Sequence, residues 1–543
     1  MVTAVAFELD GRPVEVADDG GSLLDALREQ LGCRAPKDGC SPQGQCGCCT
    51  VWVDGSPRVS CVTPARRVAG RRVTTTEGLD DEARRRWSDA FVAAGASQCG
   101  FCTPGIVLRL AALEHRGPGR PADEAAVRTA LLAHLCRCTG WQTVVEASAR
   151  ALGSEDRPAV ARDPLLAAWR AQLEGPAYQR SDAETVLGGR VFADDTAPAD
   201  ALVAVPDADG TLVVAESLAE ARRQAGKVQG RNSTAPLAHP VAAPEGEWAL
   251  TLRTTWVEPA YLEPDASWCR PGGVPASPLA NGGAFGAKRR SPVAEQARRL
   301  ADAHGRPVRV VWTREDVVRF GPKRPPVAVG VRPDGTGVLR VGLTGDPETA
   351  RAVLRSVAER VAGVAPGLVV EGVAVAGPPT SADLRGAGWA EAAVVVAALG
   401  ALAEGRSGPG TPVEVTAPSG GRARVAVAAQ GSVSVEVWAG EVLDPVTLRS
   451  YCIGAVHQAL GWVRSEGIAV DADGRVQDLT VRSFGILAAR DTPVVDVTLN
   501  PSDRWPVNGS DAVFCATAAA AWLADGLAPE WPTRRGRGTG APS

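Results

Sequence analysis

The sequence predicts a multidomain α+β protein. Three observations carry this reading. Residues 1–80 read mainly as short strands, residues 81–153 read as helices, and the remainder mixes Val-rich strands with Ala-rich helices. A chain of 543 residues has room for about three or four domains of ordinary size.

Each element has a local cause. Residues 2–9 alternate apolar and polar, Gly11–Arg12 turns, and residues 13–16 return, which is a β-hairpin pattern. Ser22 is placed to cap an apolar-faced helix over residues 23–31. A glycine- and cysteine-rich loop, 39–49, comes next. Residues 50–53 and 57–62 then form a second hairpin around Asp54–Gly55. Apolar residues at three- and four-residue spacing predict helices over 82–94, 105–116, 123–135 and 143–152. The expected organisation is therefore 1–80, 81–153, a linker over 154–181, a long region over 182–532, and a disordered tail over 533–543.

Charge excludes some partners. Lys and Arg total 58 against 62 Asp and Glu, a net of −4, so neither nucleic acid nor an anionic membrane is expected. The longest apolar run, 392–403 between Glu391 and Glu404, is too short to cross a bilayer and reads as a buried helix. The start lacks a basic stretch followed by an apolar run, so a cytoplasmic location is expected.

Cysteine is the informative residue. Ten of the 13 cysteines precede residue 140, and in a reducing compartment such clusters point to metal rather than disulfides. Cys40, Cys46 and Cys49 share the glycine-rich loop, and Cys61 follows on the next hairpin. An iron–sulfur cluster needs four converging thiolates on a close-wrapping backbone. The plant-type ferredoxin spacing is C-x4-C-x2-C with a distant fourth cysteine. Here the first gap is five residues, one longer, with Cys48 between ligands and expected to point away. The second set pairs Cys99 and Cys102 as C-x2-C with Cys136 and Cys138 as C-x-C. Zinc is the alternative for both sets, although paired short knuckles are its usual signature. Both spacings favour [2Fe–2S] clusters.

KDGCSPQGQCGCCTV with Cys61, followed by QCGFCTPG and CRCTGW, resembles the iron–sulfur subunit of the xanthine dehydrogenase/aldehyde oxidase family of molybdenum hydroxylases. The resemblance covers residues 1 to about 152. It implies a ferredoxin-like β-grasp domain and a four-helix domain, each with a [2Fe–2S] cluster. In this family the helical domain's cluster lies nearer the molybdenum cofactor, and the other passes electrons on, usually to FAD. Gln98 matches the family glutamine that approaches the pterin.

Residues 182–532 resemble, more distantly, the family's molybdopterin-binding subunit. LGGRVFADD is similar to its opening segment. GGAFGAK, with Gly282, Gly283, Phe285 and Gly286, is similar to the loop that contacts the molybdenum centre. LRGAGWAEA, with Arg385, is similar to its arginine–glycine segment. Read from the residues alone, the glycine loop can approach an anion, with Lys288 adding charge, or be an ordinary tight turn. The chain also departs from the family. Its region is far shorter, and Ser510 stands where the family has its glutamate base. A neutral hydroxyl cannot take a proton as a carboxylate does at pH 7.

The resemblance thus implies an oxidoreductase component. It would carry electrons from a molybdenum centre through two [2Fe–2S] clusters to FAD or another acceptor. Molybdopterin would be held weakly here or in a partner subunit, and no FAD-binding segment is present. Two partner subunits are expected, one catalytic and molybdenum-binding, the other FAD-binding. Two alternatives stand beside this: a self-contained minimal hydroxylase of an aldehyde or N-heterocycle, and a non-catalytic docking subunit.

Overall fold

The computed structural model describes residues 4–114, 123–153, 162–175, 179–226, 235–278 and 285–534. The first unit is a mixed sheet. Strands β1 (Ala4–Leu9), β2 (Arg12–Ala17), β3 (Thr50–Val53), β4 (Ser56–Val59) and β5 (Arg72–Thr74) lie in the order β2-β1-β5-β3-β4. β1 pairs antiparallel with β2 and parallel with β5. Helix α1 (Leu23–Asp25) runs on as a π-helical turn, Ala26–Gln30, and closes the sheet's core with Leu23, Ala26 and Leu27 against Val5, Phe7 and Val51. Ser22 caps it as expected, in a reciprocal pair with Asp25.

The return strand of the second hairpin ends earlier than expected. After Val59 the chain tightens into a 3₁₀ turn, Ser60–Val62, because Ser60 N–H donates to Cys49 O at 3.3 Å and Cys61 N–H reaches Cys49 Sγ at 3.5 Å. The hairpin thereby delivers Cys61 to the first cysteine loop.

Four helices follow: α2 (Asp81–Ala94), α3 (Thr103–Ala111), α4 (Glu124–Ala130) and α5 (Gln142–Ala151). The third stops short of residue 135. A 3₁₀ turn, Leu131–Ala133, follows it, and Leu135 N–H leaves the helix to donate to Cys46 O at 2.9 Å. Tertiary pairing with the first cysteine loop overrides the helical pattern there. The second also stops short of its expected end: α3 closes at Ala111, and residues 115 and 116 lie outside the described residues.

The linker expectation needs correction. Residues 154–161 and 176–178 lie outside the described residues, but helix α6 (Pro164–Glu174) stands between them. Its start is locally encoded: Asp163 accepts from Leu165 and Leu166 N–H, and Pro164 occupies the first helical position. Arg162 fastens it with bonds to both oxygens of Asp444 at 2.7 and 3.0 Å. Of the expected tail, Thr533 and Arg534 are held by Val463 O and Arg464 O, and residues 535–543 lie outside the described residues.

Beyond α6 the described residues build three more sheets, of four, five and four strands. Three apolar helices pack among them: Trp389–Ala403, which contains the long apolar run, Pro445–Arg464 and Ser510–Ala524. No helix among the described residues is long and apolar enough to cross a membrane. One apolar core runs from Trp87 and Trp141 of the helical unit through Cys452 and Ile453 to Trp522. The cysteine-bearing units and the long C-terminal region therefore fold on each other. Charge joins them too: Arg28 and Lys37 both reach Asp195, with all three side chains buried.

The 445–464 helix is embedded deeply enough to make stability depend on pH. His457 is 1% exposed; its Nε2 lies 3.1 Å from Leu487 O, and its Nδ1 has no partner. Burial, and secondarily the Arg137 guanidinium, lowers its pKa from 6.5 to about 4. The unfolded chain therefore binds the extra proton first. The contribution is complete above pH 6.5 and is lost as pH falls toward 4, by roughly 2–3 kcal/mol. Urea melts of the wild type and His457→Gln between pH 7 and pH 4 should show a shallower pH slope in the variant.

Candidate metal centres

The eight expected ligands collect into two groups. In the first, Cys40 hydrogen-bonds with both Cys46 and Cys61, and Cys61 also with Cys49. In the second, Cys99 bonds Cys138, with the sulfurs 3.6 Å apart, and Cys102 bonds Cys136. All eight side chains are buried. The first four thiols form a connected chain and the second four form two pairs, and among the described residues no three His, Cys, Asp or Glu groups are arranged to hold one metal ion. Two thiolates per iron is what a two-iron core requires, and the donor chemistry is all sulfur, so the residues fit [2Fe–2S] clusters.

Proton sharing follows the same pairs. Cys40 is held well below the usual thiol range by bonds from Cys46 and Cys61, and Cys99 is lowered by Cys138. Cys136 is lowered to about 6 by Cys102. Their partners Cys46, Cys102 and Cys138 are raised correspondingly. One member of each such pair is thus predisposed to the thiolate form that binds iron.

Backbone N–H groups face the sulfurs: Gln45 N–H reaches Cys40 Sγ at 3.4 Å, and Thr139 N–H reaches Cys136 Sγ at 3.5 Å. Cys48 does not simply turn away. Its thiol is fully buried beside Cys46, and its field reaches Cys102 and Cys136, so it lies between the two groups.

The second group is locked to the C-terminal region. Arg137, between two of its cysteines, sends both terminal nitrogens to Glu466, the second at 2.7 Å, and its Nε to Pro259 O at 2.8 Å. Gln458 Nε2 donates to Arg137 O at 3.0 Å. Gly454 of the 445–464 helix packs so closely that a Cβ there would stand 1.9 Å from Cys138 O. Gly454, Gln458 and Glu466 all lie in the stretch GAVHQALGWVRSEG, residues 454–467, which resembles the family's closing domain but does not by itself mark these three.

The expected molybdopterin contacts are drawn into internal pairs. Gln98 Nε2 donates to Cys138 O at 3.1 Å and to Ser450 Oγ at 3.0 Å. Arg385 binds Asp511 at 2.7 Å, Ser510 Oγ at 2.8 Å and Gln458 Oε1 at 3.1 Å. Its backbone N–H meets Phe285 O at 2.8 Å. Gly286 adopts φ +95°, and a Cβ there would lie 1.9 Å from Asp383 O, so this turn demands glycine. Gly282 and Gly283 lie outside the described residues.

Lys288 adds no free charge, being buried and paired with Glu263 at 3.0 Å. Ser510 opens the 510–524 helix, and its N–H donates to Glu174 of α6 at 2.8 Å. Glu174, another residue that carries no sequence signal, caps this helix and pairs with Arg170.

Beside Arg137 and Arg385 one cavity is about 40 Å³, and a polar cleft lined by Arg289, Arg360 and Arg385 offers about 280 Å³. Cofactor pockets usually run to roughly 300–1,000 Å³. In this arrangement Gln98 and Arg385 are engaged within the chain, and residues 279–284 of the expected contact loop lie outside the described residues.

Two family descriptions match the chain: a 2Fe-2S iron-sulfur cluster binding domain over residues 7–74 and a [2Fe-2S] binding domain over residues 75–149. One of the nicotinate dehydrogenase subunits of Pseudomonas putida is 40% identical over 160 residues, which is 29% of this chain and 100% of that protein. The chain belongs to the xanthine dehydrogenase/aldehyde oxidase family of molybdenum hydroxylases.

The xanthine dehydrogenase iron-sulfur-binding subunit of Escherichia coli O157:H7 is 37% identical over 25% of this chain and 86% of its own length. The aldehyde oxidoreductase of Desulfovibrio gigas shares the fold, with a TM-score of 0.71 at 16% identity over 98% of this chain and 99% of that one. This molybdenum hydroxylase chain is thus an oxidoreductase component. Its N-terminal cluster-binding domains give it an electron-transfer role, and a family fold extends behind them.

Removing one half of the lock on the second group should be costly. Glu466→Ala strands Arg137, buried and charged, and truncating one partner of such a pair typically costs about 3–5 kcal/mol. The expected outcome is an earlier denaturant transition with iron lost first from the second group. Unchanged melting and iron content would contradict the lock.

Proposed function

We propose that this chain is the two-cluster conduit of a multi-subunit molybdenum hydroxylase. Cys40, Cys46, Cys49 and Cys61 hold one [2Fe–2S] cluster, and Cys99, Cys102, Cys136 and Cys138 hold the other. The cluster domains fall within 1–80 and 81–153, and a molybdopterin-binding-like region spans 182–532. Electrons enter at the second cluster from a molybdenum centre on a partner subunit. They leave from the first toward an FAD-bearing subunit, in the cytoplasm.

One observation carries the assignment of molybdenum to a partner. The side chains at the expected molybdopterin contacts, Gln98 and Arg385, are bonded to Ser450, Asp511 and Ser510 of the same chain, while both thiol groups are complete. The 98% overlap in fold with an aldehyde oxidoreductase favours the rival reading, a self-contained hydroxylase. Ser510 in place of a carboxylate and the engagement of Gln98 and Arg385 within the chain weigh against it. In this reading the chain's own residues bind and shield the clusters and fix their spacing, and none moves a proton in the hydroxylation.

Anaerobically purified chain should contain about four iron atoms, as two EPR-distinct [2Fe–2S] centres. It should take up no molybdenum after incubation with molybdenum cofactor. Cys49→Ser should remove one EPR signal and Cys48→Ser neither. Stoichiometric molybdenum with turnover of aldehydes or purines by the chain alone would overturn the proposal.

A further inference from the structure

The loop that carries Cys40 and Cys46 is gripped from outside by three separate elements of the C-terminal region. Arg222 binds Asp38 at 2.9 Å and Ser41 Oγ at 2.7 Å, on either side of Cys40. Gln43 donates to Glu315 at 2.7 Å and to Leu479 O, and accepts from Val481 N–H. Arg482 sends its Nε to Gln45 O at 3.1 Å and a terminal nitrogen to Leu132 O at 2.6 Å, and its backbone N–H meets Gln45 Oε1 at 3.3 Å. Arg482 stands on a fixed turn. Thr480 and Ser483 bond each other, and Leu479, Val481 and Phe484 are buried anchors on either side of it.

The charges in this grip are not equivalent. Arg222 is matched by Asp38 at 2.9 Å and Asp25 at 3.6 Å, so its field is largely cancelled. Glu315 is engaged by Gln43 and by Thr313 Oγ1. Arg482 differs: its side-chain bonds go to neutral carbonyls, and among the described residues no carboxylate lies within ion-pair distance of it. Its charge acts on Cys46 and Cys40, and on the buried His134, which it helps keep neutral.

We propose that Arg482 sets the reduction potential of the first cluster, acting as a fixed positive charge that the C-terminal region holds against the cluster loop. The inference rests on the ligand assignment made above. Reduction adds one electron to an anionic core, with no bond made or broken. A nearby cation stabilises the reduced form more than the oxidised one, which raises the potential. The first cluster then becomes the better acceptor for an electron arriving from the second. Arg482 is exposed as a residue, so water and salt screen its charge in part and the effect is modest. The C-terminal region thereby acts on electron transfer without holding a metal itself.

The test is an EPR-monitored redox titration of the full chain as wild type, Arg482→Gln and Arg482→Lys. Arg482→Gln should shift the first cluster's one-electron equilibrium roughly two- to tenfold toward oxidised. That is a fall of about 20–60 mV at 59 mV per tenfold. The second cluster should not move, and Arg482→Lys should stay near wild type because it keeps the charge and loses the forked hydrogen bonds. In the wild type, the first cluster's potential should fall as salt rises from 10 mM to 1 M. An unmoved first cluster in Arg482→Gln would overturn the proposal, as would equal shifts in both variants or at both clusters. If Arg482→Gln loses the cluster, a salt-independent wild-type potential does the same. Absence of a first [2Fe–2S] signal from the wild type would instead sink the ligand assignment.

Discussion

The rest of the structure depends on one buried ion pair, Arg137 with Glu466. Arg137 lies between Cys136 and Cys138, and Glu466 lies just past the end of the 445–464 helix. Charges taken out of water must be matched closely, since their desolvation cost otherwise exceeds their attraction. The match here fixes more than one side chain. With Arg137 held, Gln458 reaches its carbonyl, Gly454 seats on Cys138 O, and Gln98 closes onto Ser450. The thiol spacing of the second group and the position of the longest buried helix are therefore one geometric fact.

The first cysteine loop is secured differently. Its grip is made of shorter-range polar bonds at a half-exposed rim, from residues in three elements far apart in sequence. Both sets of thiols are buried, but their neighbours differ. One is packed under a helix and beside a matched ion pair, and the other has a guanidinium without a carboxylate partner at the edge of its loop. Two chemically similar sulfur sets can be given different electronic properties in this way without any change of ligand.

Much of this is legible in the sequence, and the parts that are not share a cause. The first hairpin, although its turn falls at Asp10–Gly11 and not at Gly11–Arg12 as expected, the Ser22 cap and both cysteine sets follow from local spacing, and local spacing is what a sequence displays. The end of α4 escapes that reading because Leu135 leaves its helix for Cys46 O, more than eighty residues away. Helix α6 reads as linker although Asp163 and Pro164 encode its start; its two neighbouring breaks mask a short amphipathic stretch. Glu174 lies in no motif, and the stretch that holds Gln458 and Glu466 carries only a distant resemblance that does not single them out. Their meaning lies in what α6 and the 445–464 helix bring to Ser510, Arg137 and Arg385, and only tertiary packing shows that.

The seal over the second group bears on how the protein is made. Cys99, Cys102, Cys136 and Cys138 are each no more than 6% exposed, and their cover comes from residues 450–466. A preformed iron–sulfur core could not pass that cover once it is seated. At about 5–20 residues per second, the ribosome needs roughly 15–65 s to pass from residue 150 to residue 466. The cysteine units emerge before their cover and have that interval to acquire iron while still open. Chain order thus doubles as assembly order: the metal is loaded early, and the C-terminal region closes over it last.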